Sequence, residues 1–222
     1  MKIGLVVFDL DGTLVDSRRD LADAANSLIE ELGGRRLDEE TVVGMVGEGV
    51  ELLVGRAAAA SGVATIPPGA VARFMDIYRG RMLLHTQLYP GIRNTLERAA
   101  LVTRLAVLSN KPRGASREIL EGLGIARFFF EVYGGDGPCP RKPDPHGLWQ
   151  LGRLAGATRQ ETLLVGDSPI DLETARAAGT SIALARYGFG YARVTPAMLT
   201  GAERFIDRPG QVLEMVEKRP AD

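Results

Sequence analysis

The sequence has little of the side-chain chemistry on which disulfides and zinc sites depend. It contains one cysteine, Cys139, and two histidines, His85 and His146, which stand far apart. One cysteine excludes an internal disulfide, and ligands this sparse offer no zinc-like pattern. The low cysteine content fits a reducing compartment, so we expect a cytoplasmic protein.

Excess charge of one sign and long apolar runs are also missing. The 27 Lys and Arg against 28 Asp and Glu give a formal net charge of −1, so we expect no nucleic-acid partner. The first apolar run, residues 3–8, ends at Asp9, and the longest uncharged stretch, residues 57–72, contains Pro67 and Pro68. Neither fits a signal sequence or a membrane span, so no membrane partner is expected.

What the chain does contain is a series of short apolar runs separated by helical patterns. The runs are IGLVVF, LAVLS, FFFEVYG, TLLVG and SIALA, at residues 3–8, 105–109, 128–134, 162–166 and 181–185. Runs without strict alternation, interspersed with helices, indicate parallel strands covered by helices on both faces. The predicted fold class is α/β, a doubly wound parallel sheet with a Rossmann-like core.

A long helical stretch separates the first two predicted strands and far exceeds the length of one crossover helix. We therefore predict an inserted helical cap over residues 16–85 and a core formed by residues 1–15 and 86–222. The segment HTQLYPG, residues 85–91, is the predicted return linker because its Pro-Gly pair interrupts a helix. SRRD, residues 17–20, has the spacing of a capping box and predicts a helix start.

Polar residues follow the predicted strands at the point where each strand ends. The carboxyl ends of parallel strands share one rim of the sheet, and ligands bind there. So many carboxylates at one rim require a cation, and a hard divalent ion such as Mg²⁺ fits oxygen ligands best. In chain order the rim residues are Asp9, Asp11, Ser109, Asn110, Lys111, Arg141, Lys142, Asp167, Ser168 and Asp171.

Four of these segments resemble the motifs of a known superfamily. DLDGT after the first strand, LSN after the second, KPDP in a later loop and GDSPID after the fourth are similar to the motifs of haloacid dehalogenase superfamily phosphohydrolases. GTLVDS, YPG, SNKP, GGD, RKPDP and GAERFID are most similar to its phosphoglycolate phosphatase branch. The resemblance implies a Mg²⁺-dependent phosphomonoesterase acting on a small phosphorylated metabolite, with 2-phosphoglycolate as the expected substrate.

The resemblance also implies catalytic roles for individual residues. Asp9 would be the nucleophile that forms an aspartyl-phosphate, and Asp11 would be the general acid and base. Ser109 and Lys142 would hold the transferring phosphoryl group and balance its charge.

Metal and substrate contacts follow from the same resemblance. Asp9, the backbone carbonyl of Asp11 and Asp167 would hold Mg²⁺, with Asp171 as a supporting carboxylate. The loop GMVGEG, residues 44–49, would face the substrate from the cap. The expected substrate-binding residues are Thr13, Asn110, Gly47, Glu48 and Gly49.

Several alternatives stay open. A pyrophosphatase or a sugar phosphomutase of the same superfamily would use the same motifs, whereas a dehalogenase would not need the acid at Asp11. A phospho-accepting signalling domain also uses acidic residues, a hydroxyl and a lysine at the rim of a doubly wound sheet, but it needs no helical cap. Both a monomer and a homodimer are compatible with the sequence.

Overall fold

Six parallel strands form the central sheet of the computed structural model, which describes residues 2–217. The strands are β1 (Leu5–Phe8), β2 (Val15–Asp16), β3 (Gln87–Leu88), β4 (Arg104–Leu108), β5 (Glu131–Tyr133), β6 (Thr162–Gly166), β7 (Ser181–Ala185) and β8 (Arg204–Ile206). The order in the central sheet is β5-β4-β1-β6-β7-β8, and β2 and β3 pair separately as an antiparallel ribbon.

Helices cover both faces of this sheet, because successive side chains of a strand point to opposite sides. The helices are α1 (Arg18–Glu31), α2 (Glu39–Val43), α3 (Val50–Ser61), α4 (Ala70–Arg79), α5 (Ile92–Ala99), α6 (Arg113–Gly122), α7 (His146–Ala155), α8 (Pro169–Ala178) and α9 (Gln211–Val216). In β1, Val6 and Phe8 join one apolar layer with α5, α6 and α9, while Leu5 and Val7 join a second layer with α7 and α8. The predicted doubly wound α/β fold is confirmed.

Two strands of the central sheet differ most from the sequence prediction, and the short ribbon of β2 and β3 was not predicted. The run FFFEVYG is extended only over Glu131–Tyr133, because Ala126–Phe128 forms a 3₁₀ turn and Phe129 packs edge-on against Phe8. The edge strand β8 was not predicted, since three residues are too few to show a periodic pattern.

A helical insertion lies between β2 and β3, and α1 packs against each of its other helices, α2, α3 and α4. The chain leaves the core through β2 and returns through β3, with Val15 opposite Leu88 and Asp16 opposite Gln87. Among residues 2–217 no helix combines the length and the apolar character needed to cross a bilayer.

The start of α1 is placed as expected, but the predicted capping box is wrong. Ser17 precedes the helix without a side-chain cap bond, because its hydroxyl donates to Asp11 Oδ1 at 2.6 Å. The buried Asp20 carboxylate accepts instead from the backbone N–H groups of His85, at 3.0 Å, and Thr86, at 2.8 Å. Burial alone would raise the pKa of Asp20, but these hydrogen bonds outweigh it and lower the pKa. Asp20 thereby ties the first turn of α1 to the returning chain.

Candidate active site

The ends of three neighbouring strands bring the acidic residues together. Phe8 at the end of β1 lies opposite Val107 in β4 and Val165 in β6. Because the strands end nearly level, the residues that follow them, Asp9 and Asp167 among them, meet at one rim.

Three buried carboxylates form the centre of the site. Ligand oxygens of Asp9, Asp167 and Asp171 all lie within 4.8 Å of one another. Burial raises the pKa of Asp9 to about 6 despite the opposing charge of Lys142. Burial, together with the charges of the other two carboxylates, raises the pKa of Asp167 well above its ordinary value. Such a set could hold a divalent cation that takes oxygen ligands.

The Lys142 ammonium contacts two of these three carboxylates. Its Nζ is 2.9 Å from Asp9 Oδ1 and 2.6 Å from Asp171 Oδ1, and its side chain is only 2% exposed. Asp171 Oδ2 accepts from the backbone N–H and the hydroxyl of Ser168, which caps α8. Both oxygens of Asp171 are therefore engaged, one by Lys142 and one by the helix start.

Asp167 is fixed by contacts from distant parts of the chain. The Thr13 hydroxyl donates to its Oδ1 at 3.1 Å, and the Gly190 N–H donates to its Oδ2 at 2.7 Å. Gly12 has a φ of +89°, and a Cβ there would overlap the Asp167 carboxylate. Only glycine therefore suits this turn, both in conformation and in space. The structure places Thr13 on Asp167 and not at the cavity wall.

Asp11 has two partners of its own. Its Oδ2 lies 2.8 Å from Lys111 Nζ, and its Oδ1 accepts from Ser17. Burial alone would lower the pKa of Lys111, but the charge of Asp11 outweighs it and raises the pKa, so Lys111 is a cation at neutral pH. Lys111 was placed at the rim from the sequence but was not selected as a site residue.

A cavity of about 50 Å³ lies between these residues and the helical insertion. Its wall from the insertion is almost entirely apolar, whereas its wall from the core carries the charged groups. From the core it is lined by Asp9, Asp11, Ser109, Asn110, Lys111 and Pro112, and from the insertion by Leu21, Val46, Gly47, Gly49, Val50, Leu53, Phe74, Met75 and Tyr78.

Core side chains form hydrogen bonds to the loop 44–49 that borders this cavity. The Asn110 amide donates to the Gly47 carbonyl at 3.0 Å. Arg193, on the 3₁₀ turn Phe189–Arg193, donates to the Val46 carbonyl at 2.8 Å. Arg193 was missed from the sequence, because no motif or strand end marks it.

The structure does not bring every expected loop residue to the cavity. Gly47 and Gly49 line it, whereas Glu48 pairs with Arg56 at 2.5 Å and is not among the lining residues. Next to this loop, Glu51 at the start of α3 pairs with Arg141 of the core at 2.6 Å.

The sheet, its acidic rim and the helical insertion place the chain in the doubly wound α/β class. A model of the haloacid dehalogenase-like hydrolase family matches residues 6–185, and the chain belongs to this family.

Two relatives of the chain and one similar crystal structure carry the same name. A phosphoglycolate phosphatase of Rhodospirillum rubrum is 44% identical over 192 residues, covering 83% of this chain and 80% of the relative. One from Pseudomonas syringae pv. syringae is 35% identical and covers 98% of this chain and 85% of its own length. The crystal structure of a predicted phosphoglycolate phosphatase from Haemophilus somnus has a TM-score of 0.88 at 28% identity, covering 96% and 98% of the two chains. Family and relatives together support a phosphatase.

Proposed function

We propose that this protein is a Mg²⁺-dependent phosphomonoesterase that hydrolyses 2-phosphoglycolate through an aspartyl-phosphate. The observation that carries the proposal is the position of Asp9. Its buried carboxylate faces a small cavity, contacts Lys142 and lies two residues from a second carboxylate, that of Asp11. The relatives named phosphoglycolate phosphatase support the choice of substrate.

The donor set fits Mg²⁺. Asp9 and Asp167 would hold the ion, with the backbone carbonyl of Asp11. Burial, together with neighbouring carboxylate charge, raises the pKa of both side chains, and a bound cation would favour their ionised form. Asp171 would act as a supporting carboxylate, since both of its oxygens already accept hydrogen bonds. When bound, Mg²⁺ would offset the negative charge of carboxylates and phosphate, so that one anion can approach another.

In the first step an Asp9 oxygen would form a bond to phosphorus while the bond from phosphorus to the ester oxygen breaks. Asp11 would give a proton to the departing oxygen. Lys142 would balance charge on Asp9 and the phosphoryl group. The Ser109 oxygen accepts the Lys111 N–H at 3.2 Å, which leaves its hydroxyl hydrogen for a phosphoryl oxygen.

In the second step Asp11 would take a proton from a water molecule as that water attacks the aspartyl-phosphate. Inorganic phosphate leaves and the Asp9 carboxylate is restored. Ser17 and Lys111 hold the two oxygens of Asp11, so its position is defined for both proton transfers.

The size of the cavity favours a small leaving group. A cavity needs roughly 10 to 15 Å³ of such volume to hold a single water molecule, so about 50 Å³ is room for only a small group. A two-carbon acid suits a space of this size better than a sugar or a nucleoside does, which favours a small phosphorylated metabolite over the substrate of a sugar phosphomutase.

The test is a phosphate-release screen of the purified protein against 2-phosphoglycolate, sugar phosphates, nucleotides and pyrophosphate, with Mg²⁺ and with EDTA. We expect the highest kcat/KM for 2-phosphoglycolate, and loss of release with EDTA and in Asp9→Asn. Asp207→Asn, which changes a carboxylate on the surface, is the matched control. A higher kcat/KM for pyrophosphate would replace the proposed substrate, and retention of a stable phosphoryl group without release would favour a signalling domain.

A further inference from the structure

Two buried polar side chains at the cavity make no contact with the substrate in the steps above, where Lys111 only holds Asp11 and Tyr78 takes no part. The Lys111 side chain is 6% exposed, and its Nζ lies 4.7 Å from the centroid of the Tyr78 ring. Tyr78 is 1% exposed and lines the same cavity, and within residues 2–217 its hydroxyl has no hydrogen-bond partner.

An unpartnered buried hydroxyl calls for an explanation, because leaving it unsatisfied costs free energy. Phe74 stacks on the Tyr78 ring at 5.8 Å between centroids, so the ring is held by packing even though its hydroxyl is unbonded. An ammonium has only hydrogen-bond donors, and a phenol offers one O–H donor beside an oxygen that can accept from the ammonium. Side by side at an otherwise apolar wall, they suit an anion with more than one acceptor oxygen.

The position of this pair relative to Asp11 indicates which part of a substrate would reach it. Lys111 Nζ is 2.8 Å from Asp11 Oδ2, and Asp11 is the group proposed to protonate the leaving oxygen. A substituent one or two carbons beyond that oxygen would therefore come next to Lys111 and Tyr78. In 2-phosphoglycolate the substituent at this place is a carboxylate.

We propose that Lys111 and Tyr78 are specificity-determining residues that bind the carboxylate of the substrate; this inference rests on the proposed function. The carboxylate accepts from the Lys111 ammonium and from the Tyr78 hydroxyl. The apolar surroundings strengthen both contacts, because little water competes for them. A phosphate ester with a neutral alkyl group leaves the Tyr78 hydroxyl unpaired, and a site built around polar groups discriminates strongly against such an analogue.

The wild-type protein provides the first measurement. Ethyl phosphate has a methyl group where 2-phosphoglycolate has the carboxylate and is otherwise the same ester. With Mg²⁺ present we expect kcat/KM for 2-phosphoglycolate to exceed that for ethyl phosphate by roughly 10²-fold or more. Hydrolysis of ethyl phosphate without preference for 2-phosphoglycolate would overturn both the proposed substrate and this inference.

Tyr78→Phe removes only the hydroxyl. We expect it to lower kcat/KM for 2-phosphoglycolate roughly 10-fold, to leave ethyl phosphate nearly unchanged, and to keep or raise Tm, because the hydroxyl is unbonded in the free protein. Tyr133→Phe, at a buried tyrosine outside the cavity, is the matched control and should change neither substrate. A purely structural role for the hydroxyl would lower Tm and slow both substrates alike.

Lys111→Met removes the charge and keeps an unbranched side chain. If Lys111 only positions Asp11, both substrates slow by the same factor; if it binds the carboxylate, the preference for 2-phosphoglycolate falls by a further 10- to 100-fold, roughly. An unchanged preference in both Lys111→Met and Tyr78→Phe would overturn the inference. The proposed function would still stand, provided that the wild type hydrolyses 2-phosphoglycolate with Mg²⁺.

Discussion

The two walls of the cavity are built by different means. On the core side, Lys142 is almost wholly buried and contacts Asp9, which lines the cavity, and Asp171 at the same time. On the cap side, the ion pair from Arg141 to Glu51 has side chains that are 34% and 54% exposed. Core contacts thus join groups that cannot exchange partners with water, whereas several contacts between cap and core can.

This difference distinguishes the contacts that fix the reacting groups from those that control access to the cavity. Breaking a buried charge pair costs about 3 to 5 kcal/mol, whereas an exposed pair contributes only about 0.2 to 1 kcal/mol. The reacting groups are therefore held more strongly than the exposed pair holds α3 to the core. We expect the helical insertion to act as a lid, since lids admit substrate and then exclude water.

The contrast is sharpest between two neighbouring residues of one loop, Arg141 and Lys142. Lys142→Met leaves Asp9 and Asp171 without their shared cation, so we expect kcat/KM to fall by roughly 10³-fold and the free energy of unfolding by about 3 kcal/mol or more. Arg141→Met should change that free energy by less than about 1 kcal/mol. For each variant, a phosphate-release assay measures kcat/KM and urea denaturation measures the free energy of unfolding. Equal losses of stability in the two variants would break the contrast.

Asp11→Asn tests the core wall without removing a cation. The amide can still bond Ser17, but it cannot give a proton to a leaving group, so we expect kcat to fall by roughly 10² to 10⁴-fold. The measurement is steady-state release from 2-phosphoglycolate beside the Asp207→Asn control. An unchanged kcat would remove Asp11 from the mechanism.

The pH dependence of the free energy of unfolding should reveal the protonation of Asp9 on the core side of the cavity. In the folded protein burial raises the pKa of Asp9 from 3.8 to about 6, so the metal-free protein loses stability as pH rises from about 4 to 6. Mg²⁺ binds the ionised carboxylates, so its stabilising effect should be larger near pH 7 than near pH 5. Asp20 does not mask this trend, because its lowered pKa affects stability only under more acidic conditions. Thermal unfolding with Mg²⁺ and with EDTA at both pH values measures the effect, and an equal Tm shift at both would contradict it.

The smallest effect on activity is expected for the hydrogen bonds that join the core to the loop 44–49. Arg193→Ala removes hydrogen bonds to the Val46 and Gly44 carbonyls, so we expect KM to rise several-fold with little change in kcat. Arg186→Ala, which breaks an exposed pair with Asp207, is the control. A large fall in kcat would show that Arg193 acts on the chemistry and not only on the loop.

The sequence predicted best what depends on neighbours along the chain. The runs predicted for β6 and β7 form strands over the same residues, 162–166 and 181–185, because buried parallel strands are short and continuously apolar. The meeting of Asp9 and Asp167 at one rim was predictable because parallel strands end at one edge.

What escaped prediction depends on partners far apart in sequence. Thr13 and Gly190 both bond Asp167, and no local pattern links positions so distant. The capping box failed because both of its side chains bond residues outside the helix. Ser17 donates to Asp11, six residues earlier, and Asp20 accepts from the N–H of Thr86, 66 residues later.

The pairing of β2 with β3 has a consequence for how the protein could be altered. Val15 and Leu88 lie opposite each other in the antiparallel ribbon, so the chain departs and returns at almost the same point. Closing an excursion between such points costs only about 0.6 kcal/mol more for each doubling of its length. The core can therefore accept excursions of very different size at this position, and an enzyme with an exchanged cap should keep a core of nearly the same stability.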